Sequence, residues 1–177
     1  MFKPIFLAAL LAPGIAFAAG GGATTPPKPT ETTQKCKGGQ IWDNAAKKCK
    51  SPEHSQLSPD TLFAAAREFA YAEQYVNAQR ALAAMPDQDE ARVQTYMGFT
   101  TRKMGDVAAG MAYYKAALAR DPGDILARSY IGQALVEGGD TVGAYRQLMA
   151  IRDYGGAGTW AEASLRSAIE TGQTYSY

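Results

Sequence analysis

An all-α fold is predicted for this chain: three helix-turn-helix repeats and a C-terminal capping helix, preceded by a signal peptide, a disordered linker and a small disulfide-closed hairpin. Three observations predict it. Small residues recur at a fixed interval, with Ala66, Gly98 and Gly132 in one set and Ala78, Gly110 and Ala144 in another, both stepping by 32 and then 34 residues. Larger residues keep the same phase, as in Leu82, Tyr114 and Leu148, or Met85, Ala117 and Ile151. The punctuation recurs too, with Gly105-Asp106 and Gly139-Asp140 as turns and Pro86-Asp87 and Asp121-Pro122-Gly123 as stops. A period near 34 marks stacked helical units, none of which can bury its apolar face alone.

Size and charge narrow the options. At 177 residues and 46% hydrophobic content the chain is long enough for one packed domain with appendages. The net charge of +1 is unevenly spread: residues 28 to 50 carry six lysines against Glu31 and Asp43, while the chain from Ser51 onward carries eleven Arg and Lys against fifteen Asp and Glu. No long basic patch with interleaved aromatics occurs, so nucleic acid is not an expected partner. Two cysteines and one histidine, His54, do not supply the three or four ligands of a zinc site, and no metal or cofactor is expected.

The first element, residues 1–18, has a cationic start at Lys3, an apolar run from Ile5 to Leu11, the breaker Pro13-Gly14 and the small-residue end Ala16-Phe17-Ala18. That is the anatomy of a secretory signal peptide. Spanning a bilayer takes about 20 apolar residues, so no stable membrane insertion is expected after cleavage, and export to the periplasm or beyond is. Residues 19–35 hold glycines, prolines and threonines without apolar periodicity and read as a flexible linker. In residues 36–50, Cys36 and Cys49 flank Gly38-Gly39, a Gln40-Ile41-Trp42 strand and an Asp43-Asn44 turn, the pattern of a hairpin closed by a disulfide. A loop of that size stabilises by about 3 kcal/mol in the chain-entropy model. Residues 51–57, with His54 among them, read as a second linker.

The repeat domain, 58–172, begins where Ser58 can cap and Pro59 fits the first helical position. Leu62, Ala65, Ala66 and Phe69 then recur at helical spacing, predicting a helix to about Glu73. Tyr75, Ala78, Leu82 and Met85 mark a second helix. Asp87 with Glu90 has the spacing of a capping box for the third, whose expected buried face is Gln94, Met97, Gly98, Thr101 and Met104. Val107 to Arg120 form the fourth helix, Ile131, Gly132 and Leu135 mark the fifth, and Ala144, Leu148 and Ile151 the sixth. Thr159 and Glu162 make another capping box for the last helix, which Gly172 ends.

Residues 59 to 153 resemble three tetratricopeptide repeats followed by the extra helix that caps such arrays. The matching residues are Gly98, Gly105, Gly110, Tyr114, Ala117, Leu118 and Pro122 in the middle unit, Gly132, Gly139, Ala144 and Leu148 in the third, and Ala66, Tyr75, Ala78 and Leu82 in the first. The resemblance implies a right-handed α-solenoid and a non-catalytic protein-protein interaction module or adaptor of the cell envelope. In that family the first helix of each unit lines a concave groove, which here offers Phe63, Arg67 and Tyr71, then Arg92, Thr95, Phe99, Arg102 and Lys103, then Ser129 and Gln133. Aromatic faces and Arg forks in that stripe suit an extended acidic segment. The hairpin, on Cys36, Gly39, Trp42 and Cys49, resembles half of a peritrophin-type chitin-binding module and implies a second reading, a wall or glycan-associated protein. No constellation for catalysis is present: phosphate loops of the G-x-x-x-x-G-K type are missing and the carboxylates are scattered, so no catalytic residue and no enzyme activity are expected.

Overall fold

The computed structural model describes residues 27–54 and 56–174. The expected signal peptide and the first part of the expected linker lie outside the described residues. In chain order the elements are α1 (Glu31–Gln34), β1 (Ile41–Asp43), β2 (Lys48–Lys50), a 3-10 turn (Pro52–His54), α2 (Pro59–Tyr71), α3 (Tyr75–Ala83), α4 (Ala91–Lys103), α5 (Val107–Arg120), α6 (Ile125–Glu137), α7 (Thr141–Asp153) and α8 (Trp160–Thr171).

Caps fix most of the helix starts. The Ser58 hydroxyl accepts from Thr61 N–H with Pro59 in the first turn of α2, and Asp106, Asp124 and Asp140 accept from backbone N–H groups in the first turns of α5, α6 and α7. Each such cap satisfies donors that the helix itself cannot, and contributes about 1 kcal/mol. At α8 the Thr159 hydroxyl accepts from Glu162 N–H while the Glu162 carboxylate accepts from Gly158 N–H at 2.8 Å. This differs from the expected box only in that the carboxylate reaches one residue further back. The box expected at Asp87 and Glu90 does not form. Glu90 is the N-cap of α4 with no side-chain cap bond, and the Asp87 carboxylate instead accepts from Asp89 N–H inside the preceding turn.

The helices pack as three consecutive pairs, α2 with α3, α4 with α5 and α6 with α7. Neighbouring pairs meet through α3 against α4 and α5 against α6, and α8 closes on α6 and α7. Gly98 and Gly110 carry the middle pair's contact: a Cβ on Gly98 would stand 2.9 Å from the Gly110 carbonyl and 2.6 Å from the Tyr114 ring, so any side chain there pushes α4 and α5 apart. Gly132, its equivalent one repeat on, meets Leu165 of α8 instead, at 2.5 Å from a built Cβ.

One continuous core runs from Ile41 through Phe69 and Leu82 to Tyr96, Phe99, Tyr114 and Tyr130. A smaller cluster, Ala144, Leu148, Ile151 and Leu165, lies at the C-terminal end. Burying each large side chain is worth roughly 1.5 to 3 kcal/mol. The face expected to be buried on α4 is displaced. Of that set only Gly98 is buried; Gln94, Met97 and Thr101 are half-buried and Met104 is 46% exposed, while Val93, Thr95, Tyr96, Phe99 and Thr100 are enclosed. The cause is that α4, as the middle helix, touches α5, α3, α2 and α6 together, so no single stripe describes its burial.

Cys36 and Cys49 form the expected disulfide, with Cα atoms 5.6 Å apart, across an antiparallel β1–β2 hairpin in which Trp42 pairs with Cys49. The expectation of a flexible linker through residue 35 is corrected by α1, whose Thr30 and Thr33 donate hydroxyl and backbone N–H groups to the buried Glu68 of α2. The second expected linker is likewise partly folded. Pro52 is buried and Glu53 pairs with Arg80 of α3 at 2.7 Å, while His54 is exposed as expected.

Candidate functional site

The ten residues expected to line a groove fall along the row of first helices, α2, α4 and α6. Phe63 is 6% exposed, its ring edge-on to Tyr96 at 5.4 Å and beneath the Arg92 guanidinium at 4.7 Å. Burial disfavours the Arg92 charge, but its hydrogen bonds to Asp60 and Glu90 outweigh that effect and raise its pKa. Arg67 donates from Nε to the Tyr96 hydroxyl at 3.1 Å. Phe99, 1% exposed, is enclosed by Tyr75, Tyr96 and Tyr130, with ring centroids 6.2, 6.3 and 4.8 Å away. The Lys103 ammonium lies 6.0 Å from the Phe99 ring centroid, and burial followed by the nearby Arg102 charge pulls its pKa below the ordinary lysine range.

Of the remaining five, Tyr71 is half-buried, and the other four are polar, yet buried. Thr95 donates to the Asp124 carboxylate at 2.7 Å, and burial pushes that carboxyl's pKa up despite its backbone donors. Ser129 donates to the Ala161 carbonyl of α8 at 2.9 Å, and Gln133 reaches Ser129 at 3.4 Å. Arg102, 4% exposed, donates to Glu137 at 2.7 Å and lies against Tyr114. Burial alone would raise Glu137; the Thr174 hydroxyl and Arg102 together pull it below the usual range instead.

Of the ten residues expected to be offered to a partner, six are instead buried: Phe63, Thr95, Phe99, Arg102, Ser129 and Gln133. These side chains are consumed in sealing one first helix to its neighbour: Thr95 to the start of α6, Arg102 to the end of α6, Ser129 to α8. Arg67, Tyr71, Arg92 and Lys103 remain half-buried. Sequence reasoning missed Tyr96 and Tyr130, which are fully buried and together with Phe99 form the centre of the seam. Their separation of 34 residues, one repeat, was the available signal.

A second feature lies where the hairpin meets α2. A cleft of about 350 Å³ is lined by Trp42 and Asn44 of the hairpin, Glu31 of α1, and Asp60, Thr61 and Glu68 of α2. Trp42 is half-buried, with the Lys35 ammonium 5.3 Å from its ring centroid and its backbone N–H donating to the Thr32 hydroxyl at 3.2 Å. Beside it the Asp43 carboxyl is held down to about 2 by the Lys50 ammonium and then by the backbone N–H groups of Ala46 and Ala45. Among the described residues no group of three or more His, Cys, Asp and Glu is placed to hold a metal ion, and no helix is long and apolar enough to cross a membrane.

No family model, curated protein or solved structure matches the chain.

Proposed function

We propose that this chain is an exported, non-catalytic scaffold of tetratricopeptide type, a right-handed solenoid of three repeats that holds an extended acidic segment or a helix of another envelope protein. The observation that supports the reading is the recurrence of three helix pairs with a small buried residue at each equivalent position: Ala66, Gly98 and Gly132 are all buried, as are Ala78, Gly110 and Ala144 in the second set. A rigid stack closed at one end by the stapled segment and at the other by α8 presents surfaces without needing chemistry of its own. On the row of first helices the residues left to a partner are Arg67, Tyr71, Arg92 and Lys103. The buried six fix the shape of that face rather than touch the partner.

The test is site-specific photocrosslinking in the native envelope, with the crosslinker at position 71 or 103 and, as a control, at the exposed position 170. A discrete adduct from 71 and 103 but not 170, weakened when Arg67 is replaced by Gln, is the expected result. A folded, exported chain that yields no adduct from either position overturns the reading.

The cleft beside Trp42 favours a second reading, a glycan-associated protein. An aromatic face ringed by Asn44, Asp60, Thr61 and Glu31 can stack on a sugar ring and accept its hydroxyl donors. Retention on peptidoglycan or chitin that is lost on Trp42→Ala would select it over the first.

A further inference from the structure

We propose that α7 carries a self-association surface on which a second copy of this chain docks antiparallel, about a two-fold axis beside Met149. The starting point is an apolar stripe. Val142, Tyr145 and Met149 are 63%, 52% and 50% exposed and recur at i, i+3 and i+7 on one face of the helix. Scattered apolar residues on a surface are ordinary, whereas a contiguous row of large ones marks an interface.

The repeat register shows why the row stands here. Equivalent positions are Val76, Ala108 and Val142; Gln79, Met111 and Tyr145; Ala83, Lys115 and Met149. In the first pair, Gln79 faces the following pair and donates to Thr100 and Thr101 at 3.1 and 3.0 Å. In the second, Met111 packs against the main core. After the third pair, α8 follows among the described residues; it seats Leu165 against Gly132 of α6 and leaves Tyr145 half in solvent. Large side chains thus fill all three positions in the third pair, which no further pair covers among the described residues.

Charge selects the occupant. Arg146 and Asp153 are both exposed, and neither forms an ion pair among the described residues. Seven residues separate them, about two turns or 10 Å, so they share one edge of the stripe. Arg152, on the opposite edge, is already held by Glu162 at 2.7 Å. When two such helices meet antiparallel about a two-fold axis, like edges lie side by side, and residue i meets j while j meets i. With the axis midway between positions 146 and 153, Arg146 of each copy faces Asp153 of the other, and the two Met149 side chains meet at the centre. A single helix face is smaller than the roughly 800 Å² per partner of a standard interface, so the dimer is weak, with a Kd on the order of 10 to 100 μM.

Sedimentation equilibrium of the purified protein from about 5 μM to about 1 mM tests this. Expected is a reversible monomer–dimer equilibrium that weakens at least about tenfold in a V142D/M149D variant and weakens with added salt. R146E alone and D153R alone each place two like-charge pairs in the homodimer and should be monomeric. Mixed in equal amounts they form both attractive pairs and should dimerise, a result that neither a parallel dimer nor a misfolded variant produces. A chain that stays monomeric throughout, a dimer that V142D/M149D leaves unchanged, or a mixture no tighter than its components overturns the proposal.

Discussion

Glu73 stands where the other two pairs place glycine. Stepping by 32 and 34 residues from it reaches Gly105 and Gly139, and all three close the turn between the helices of a pair with positive φ: 59° for Glu73, 104° and 81° for the glycines. A residue with a Cβ pays about 1 to 2 kcal/mol to sit there, which glycine avoids. Glu73→Gly should therefore stabilise the protein by about 1 kcal/mol and raise the melting temperature by roughly 2 to 4 °C. Glu73→Ala keeps the Cβ and should not. Equal melting of the glycine and alanine variants would show that the turn carries no such strain. Asp43 offers a second single-residue test. Its folded pKa lies near 2 against an ordinary 3.8, so the stability it lends is fully present above 3.8 and is lost as pH falls through about 2. Hairpin amide shifts should move across that window in the parent and stay still in Asp43→Asn.

At the scale of elements, α8 is the piece whose removal is most informative. Ala161, Leu165 and Ala168 are all fully buried, and Ser129 loses its acceptor on Ala161 if the helix goes. Truncation after Gly158 should lower the melting temperature clearly or cause aggregation, with Leu165 alone worth roughly 1.5 to 3 kcal/mol. Unchanged melting of the truncated chain would mean that the third pair closes some other way. The elements also differ in how readable they were. Ser58, Asp106, Asp140 and the Thr159–Glu162 pair announce helix starts because capping is decided within two or three residues. Nothing local announces α1. Its four residues lean on Glu68, 35 and 38 positions away from the threonines that bind it, and a Thr-rich stretch with no periodicity hides that dependence. The burial of six groove positions is hidden from the sequence for a related reason. Hydrophobic periodicity finds one buried face per helix, whereas α4 has neighbours on several sides; Thr95, Ser129 and Gln133 are polar and still buried because each finds a hydrogen-bond partner within the seam. Their residue types were legible, and their partners, contributed by other elements, were not.

Over the whole molecule, the stapled segment is continuous with the repeats. Ile41 of β1 is 1% exposed within the same core as Phe69, Ala78 and Leu82, and Arg80 of α3 donates to the Gly38 carbonyl at 2.8 Å as well as to Glu53. Glu68 ties α1 to α2 through both its oxygens. Such contacts couple the hairpin to the first pair, and the first pair to the rest through α3 against α4. An independent spacer could melt without touching the helices; with these contacts the two are expected to unfold together. Replacing Cys36 and Cys49 by Ala removes a constraint across 13 residues, worth about 3 kcal/mol in the chain-entropy model. The effect should appear in the helical signal, as one transition shifted down by roughly 6 to 12 °C, with tryptophan fluorescence and far-UV circular dichroism changing in step. Helices that melt at the parent temperature in the cysteine-free variant, with fluorescence alone shifted, would sever the hairpin from the core and return it to the role of an appended tether.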